Sequence, residues 1–341
     1  MRKPSENIKN FRGKILRISC YAGYVRQGLS YMTAGKGKNN MTTRYAVIER
    51  QEQPTRTAPR PARRRARRRV KKRRHPFRLV LVLLILGAFF WFAPRSVSGA
   101  LAALRWQESG VEVQDGTVAA LWRMSLTDSR VLEILNHPED YPPALLDLLA
   151  GNNETIEFVA DYPEHHADTP AEALTEPLDT VPLLLQWDKR WGYQDYGSSM
   201  VAVSGCAPTS LAMAAAHLTG DSTVTPYRVA RYAAENGYYV PGQGTSWSLL
   251  SDGAGAFGIS CHQLSLDRTQ LDAALDAGQP VICSMLPGDF TTEGHFIVLT
   301  GRADNGEYEV RDPNSVERSK KTWSYDRLSG QIAALWACSR V

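Results

Sequence analysis

"GHFIVLTGRADNGEYEVRDPN", residues 294–314, reads as two strands and the loop that joins them. HFIVLTG is an apolar run of strand length, GRADNG is a dense turn signal, and EYEVRDP alternates until a proline stops it. A histidine opens the first strand and an aspartate closes the second, so His295 and Asp312 lie at one edge of the sheet. The register decides whether they meet. A two-residue turn at Asn305–Gly306 sets Asp312 opposite Leu299, with Val316 facing His295. A four-residue loop, Arg302 to Asn305, sets Asp312 opposite His295 with both side chains on one face. The sequence permits either.

Around this hairpin lie further strand-like runs, ISCHQLS (259–265), PVICSM (280–285) and IAALWACS (332–339). Helical patterns come earlier: Cys206 to about His217, 225–237 ending on Gly237, a third from near Ser246, and 267–278 stopping at Gly278. Helices first and strands later predict an α+β domain with an antiparallel sheet.

An imidazole beside a carboxylate is two thirds of a nucleophilic site; what remains is the nucleophile. "VSGCAPTSLAM" (203–213) supplies it. Cys206 follows a glycine and starts a helix, and a helix N-terminus favours the negative charge of a thiolate. Twenty residues upstream, Gln186 in VPLLLQWDKRWG offers an amide donor for a developing oxyanion. The backbone N–H of Cys206 is the natural second donor. Each residue also has a plainer reading: Cys206 and His295 as core residues, Asp312 as a turn carboxylate capping the Asn314 backbone, and Gln186 as a surface amide. Trp247 and Asp289 are candidates for touching substrate, against the plainer readings of packing and a solvated loop acid. Cys261, Cys283 and Cys338 fall on strands as small core residues; at most one disulfide could form among these three and an odd thiol would remain, which argues against a disulfide framework. His137, His165 and His166 lack partners at ligand spacing, so no metal is expected, and no cofactor.

The net charge of +5 over 341 residues hides two opposite halves. Residues 1–100 carry 25 Lys and Arg against 3 acids, whereas 101–341 carry 15 against 32. Between them, RRRARRRVKKRR runs into LVLVLLILGAFFWFA (79–93). Counted from Phe77 that is enough residues, at the short end of roughly 17–25, for a transmembrane helix with the basic side cytoplasmic. A signal peptide cleaved after SVSGA (96–100) is the rival, but its basic leader would be unusually long. The expected plan is a basic cytoplasmic tail over 1–76, a transmembrane helix over 77–94, a helical stalk and linker over 95–180, and the α+β domain over 181–341. Within the stalk, 129–138, 141–152 and 153–163 read as short amphipathic helices and 167–180 as a linker. The tail suits anionic lipid headgroups. It lacks the aromatic and glycine interleaving of a nucleic-acid binder, so no nucleic acid is expected. Met41, ahead of TTRYAVIER, is a candidate start.

QWDKRWG, GCAPTSLAM, GTSW (244–247), GDFTTEGHFIVLTG and VRDPN occur in an order that resembles the bacteriocin-processing-like, double-glycine-type group of papain-fold cysteine peptidases. The resemblance covers 181–341, and the helices ahead of it are similar to a preface found before such domains. It implies a papain-like fold with Cys206 as nucleophile, His295 as base and acid, Asp312 as orienter and Gln186 as oxyanion donor, acting on a peptide or protein. One position departs: the residue after the cysteine, usually glycine, is Ala207, which puts the approach to the sulfur in question. No ATPase segment or further apolar run follows, unlike transport-linked processing. Two other functions fit the same residues: a catalytically inactive peptide-binding module, and an amidase or acyltransferase acting on a non-peptide amide.

Overall fold

The structure, a computed structural model, describes residues 76–341, without the side chains of 76–79, 90–96, 98–100 and 103. The expected basic tail, Met41 and Cys20 lie outside the described residues. The chain divides into two compact units at Ala88/Phe89. Helix α1 spans Pro76–Ser109. On the first unit, the side chains from Val80 to Leu86 are all exposed. Among the described residues no helix is long and apolar enough to cross a membrane. The apolar run with described side chains, 80–89, rises only about 15 Å against a hydrocarbon core of about 30 Å. The remainder of the expected span, 77–79 and 90–94, has side chains outside the description.

After α1 come α2 (Thr117–Ser125), α3 (Ser129–Asn136), α4 (Pro143–Gly151) and α5 (Ile156–Ala160). Two of them have a readable start. Asp128 caps α3 by accepting from the Arg130 N–H, and Pro143 opens α4, where a missing N–H costs nothing. None of these helices can bury its apolar stripe alone. Leu121, Val131, Ile134, Leu135, Leu145, Leu146, Leu149 and Phe158 close into a single core, which also takes in Tyr193 and Ala202 of the following domain.

Residues 167–180 form no regular element, as expected of a linker, yet they are held down. Ala171 donates its N–H to the Arg190 carbonyl and Leu174 to that of Ser222, and Leu174 is buried. Helix α6, Cys206–Thr219, then runs through the next core and ends on Gly220 in the left-handed conformation. Helix α7, Pro226–Glu235, packs beside it. The helix expected near Ser246 is a π-helical turn, Leu249–Gly253, followed by a 3-10 turn, Ala254–Phe257.

Six antiparallel strands follow: β1 (Ile259–Leu264), β2 (Val281–Met285), β3 (His295–Arg302), β4 (Tyr308–Arg311), β5 (Thr322–Trp323) and β6 (Ile332–Arg340). Their spatial order is β1-β6-β2-β3-β4-β5. Both faces are covered. Phe296, Val298 and Trp336 pack on the α6 side with Leu211, Met213 and Ala215. Ile297, Leu299, Val310 and Leu335 pack on the other side, with Leu271 and Leu275 of α8 (Arg268–Asp276). Burial on two faces explains why the strands read as continuous apolar runs. The α+β expectation with a helix-then-sheet order therefore holds for the described residues.

Two of the cysteines differ from expectation. Cys261 on β1 and Cys338 on β6 are directly opposed across the ladder, with Cα atoms 4.2 Å apart, and form a disulfide. Cysteine spacing carries no strand pairing, so the sequence alone could not bring these two together. Cys283 is a buried free thiol, and burial pushes its pKa well up.

Candidate active site

The thiol owes its place to Gly205. A methyl group there would stand 2.4 Å from the Val201 carbonyl oxygen, so only glycine permits the tight join between the helical turn Val201–Ser204 and α6. Cys206 is the first residue of α6, and Pro208 sits in the first turn, where its missing N–H breaks no helical bond. Ala207 is buried in the core between α6 and the sheet. Its extra methyl is thus absorbed by packing, which answers the concern raised by its replacing glycine.

The acid reaches the imidazole by a register that neither simple turn provides. At the loop, Arg302 pairs with Tyr308 and Gly301 with Glu309; towards the site, Leu299 pairs with Val310 and Val298 with Arg311. The shift is a β-bulge at Thr300. Continued without it, the loop-end register would oppose Asp312 to Val298 and send its side chain to the face away from His295. With the bulge, Asp312 follows opposite Ile297 and shares the parity of His295. The two meet diagonally: Nε2 of His295 lies 2.7 Å from Oδ1 of Asp312.

Both groups are deeply buried, with 6% of His295 and none of Asp312 exposed. Burial alone would push the imidazole towards neutrality. The Asp312 charge and hydrogen bond, and then the Cys206 side chain, outweigh it and raise its pKa to about 9. For Asp312, burial favours the protonated acid, but His295 and then Arg318 hold it below the usual carboxylate range. Oδ1 also accepts from the Asn314 N–H at 2.8 Å, and Oδ2 accepts from Nε of Arg318. The turn-capping and imidazole-orienting readings of Asp312 are thus compatible, because one carboxylate does both. Nε2 is committed to Asp312, which leaves Nδ1 as the ring nitrogen for the sulfur.

Gln186 is buried beside this group. Its backbone N–H donates to the Pro313 carbonyl at 2.7 Å and its Nε2 donates to the Ala202 carbonyl at 2.6 Å. One amide hydrogen therefore ties Gln186 to the turn that leads into Cys206. The structure thus brings Cys206, His295, Asp312 and Gln186 into one neighbourhood. It packs Trp247, half-buried, against the core, edge-on to Trp336 at 5.3 Å between ring centroids. The Asp289 carboxylate is taken up by Arg327 and by Gln331 Nε2, so it serves the loop before His295. His165 pairs with Asp168 and His166 with the Tyr162 carbonyl.

Sequence reading missed Arg318, six residues past Asp312. The signal was present in N-S-V-E-R: Ser315 starts a helical turn, Val316–Ser319, by accepting from the Arg318 N–H. It also missed Tyr196, whose hydroxyl is raised in pKa first by burial and in part by the nearby Cys206.

A thiol at a helix start, set against a sheet edge that carries a buried imidazole–carboxylate pair, is the arrangement of a cysteine-peptidase-like domain. Residues 178–339 match the model of the Peptidase_C39 like family. The match supports a C39-type papain-like peptidase domain over these residues and carries nothing specific to bacteriocin processing. A search of curated proteins gives no match.

Proposed function

We propose that residues 181–341 form a cysteine peptidase in which Cys206 is the nucleophile, His295 the acid and base, Asp312 the orienter and Gln186 an oxyanion donor. The observation that carries this reading is the buried His295 Nε2–Asp312 contact at 2.7 Å, with Cys206 acting on the same imidazole. The proton of the Cys206–His295 pair resides on His295, and the sulfur, freed of it, attacks a peptide carbonyl. The new oxyanion is received by the Cys206 N–H and by the Gln186 amide hydrogen not spent on Ala202. His295 then protonates the leaving amine, which departs as the acyl-enzyme forms. Water attacks the thioester, giving its proton to His295; the acid leaves and the thiol is restored.

The same proposal places the domain outside the cytoplasm, anchored through 77–94 with the basic tail inside and against anionic lipid. Two features support it. The basic block precedes the apolar run, which favours a cytoplasmic N-terminal side. A disulfide links β1 to β6, and disulfides persist in oxidising compartments.

The test is hydrolysis of a peptide library by the full chain in detergent, beside Cys206→Ala. We expect cleavage by the wild type, loss in the variant, and trapped peptide substrates on it. Peptides that bind both forms equally without being cleaved would favour the binding module instead. Release of ammonia or acyl transfer from non-peptide amides, with peptides untouched, would favour the amidase.

A further inference from the structure

The loop that carries Asp312 is held from outside the domain that performs the proposed chemistry. The turn between α4 and α5 reaches it at two points. Nδ2 of Asn152 donates to the Asn314 carbonyl at 2.7 Å and to Asn314 Oδ1 at 3.1 Å. The Glu154 carboxylate accepts from the Ser315 hydroxyl and from the N–H groups of Val316 at 2.7 Å and Glu317 at 3.3 Å. Two residues of the domain itself complete the grip: the Gln186 N–H on the Pro313 carbonyl and Trp187 Nε1 on the Asn314 carbonyl at 3.3 Å.

What this grip fixes is the far side of the acid. Glu154 anchors the start of the turn Val316–Ser319, and that turn delivers two groups to Asp312. Arg318 donates from Nε to Oδ2, and the Ser319 hydroxyl accepts the Asp312 N–H at 2.8 Å. Ser319 is itself tied to the Ser315 carbonyl at 2.7 Å. Arg318 competes with His295 for the charge of one carboxylate. Its placement therefore sets how much of that charge reaches the imidazole.

We propose that the N-terminal helical module is a positioning part of the site, with Glu154 the positioning residue that holds the Ser315–Ser319 turn and, through Arg318, the orientation of Asp312. The proposal rests on the peptidase reading of Cys206, His295 and Asp312. Glu154 touches neither substrate nor the reacting atoms, so its effect is transmitted. A polar hold on the turn that presents Asp312 also gives a physical reason for the helices to share a core with Tyr193 and Ala202.

The readout is carbamidomethylation of Cys206 by iodoacetamide across pH, mapped by peptide mass spectrometry on the full chain, and it needs no substrate. Glu154→Ala is expected to slow labelling severalfold at neutral pH and to displace its pH profile. Glu154→Gln, which keeps one acceptor oxygen, should fall between wild type and Glu154→Ala. Glu133→Gln, an exposed change in the same module, should behave as wild type. A folded Glu154→Ala whose profile superimposes on wild type overturns the proposal. If that variant does not fold, Glu154→Gln decides by the same criterion. Wild-type labelling identical to that of His295→Ala would instead overturn the underlying reading of the site.

Discussion

His295 is the residue on which the proposed chemistry turns, because Asp312 and Cys206 both act on its ring. Its pKa, raised to about 9 from an ordinary 6.5, keeps the ring protonated at neutral pH. A proton held more tightly in the folded state stabilises the fold below the unfolded value. That stabilisation is complete below pH 6.5 and is lost as pH rises through about 9. Wild-type stability to urea should therefore decline over that window more steeply than that of Asp312→Asn, in which the carboxylate is gone. Equal slopes would mean that the pair does not titrate as described. Much of this was legible in the residues: a histidine opening one strand and an aspartate closing the next can only belong to one edge. The Cys206 address was legible for a different reason, since glycine before a helix start is a local feature. Arg318 was not, because its partner is set by a turn whose anchor, Glu154, lies 164 residues upstream in the chain.

Among the elements, β3 carries the least obvious device. Its bulge at Thr300 changes the parity of everything beyond it, and without that change Asp312 would face away from His295. Inserting one alanine between Arg311 and Asp312, which sets Asp312 opposite Phe296 and on the other face, should leave far-UV circular dichroism largely intact and abolish peptide hydrolysis. Retained hydrolysis in the insertion would show that the acid reaches the imidazole by another path. Both registers considered from the sequence assumed a regular ladder, and a bulge is invisible to residue counting. The loop, 303–307, closes with the Gly306 N–H on the Ala303 carbonyl, and Gly306 adopts a φ of +77°. Helices α3 and α4 were legible because their stops, Pro138 and Gly151, stand where amphipathic runs end. The turns after Ser246 were not, because tertiary packing of Leu249 and Leu250 replaces regular helix there.

Beyond its elements, the described part of the molecule adds a helical module, a strap-like linker and a covalent tie. Cys261–Cys338 joins the edge strand β1 to β6 over 77 residues of chain. Reducing it is expected to cost about 2–4 kcal/mol and to lower the melting temperature. The double variant Cys261→Ala/Cys338→Ala should melt as the reduced protein does; a melting temperature insensitive to reductant would show the tie to be energetically idle. The order from helices to sheet followed from pattern alone. How the module meets the domain did not, since contacts such as Asn152–Asn314 join segments with no shared periodicity.

The most direct measurement is an NMR titration of the His295 imidazole in the full-length protein, beside Asp312→Asn and Cys206→Ala. The arrangement requires the wild-type ring to hold its proton past neutrality and titrate near pH 9, with each variant moving it down. A ring that titrates near its ordinary value and ignores both substitutions would contradict it.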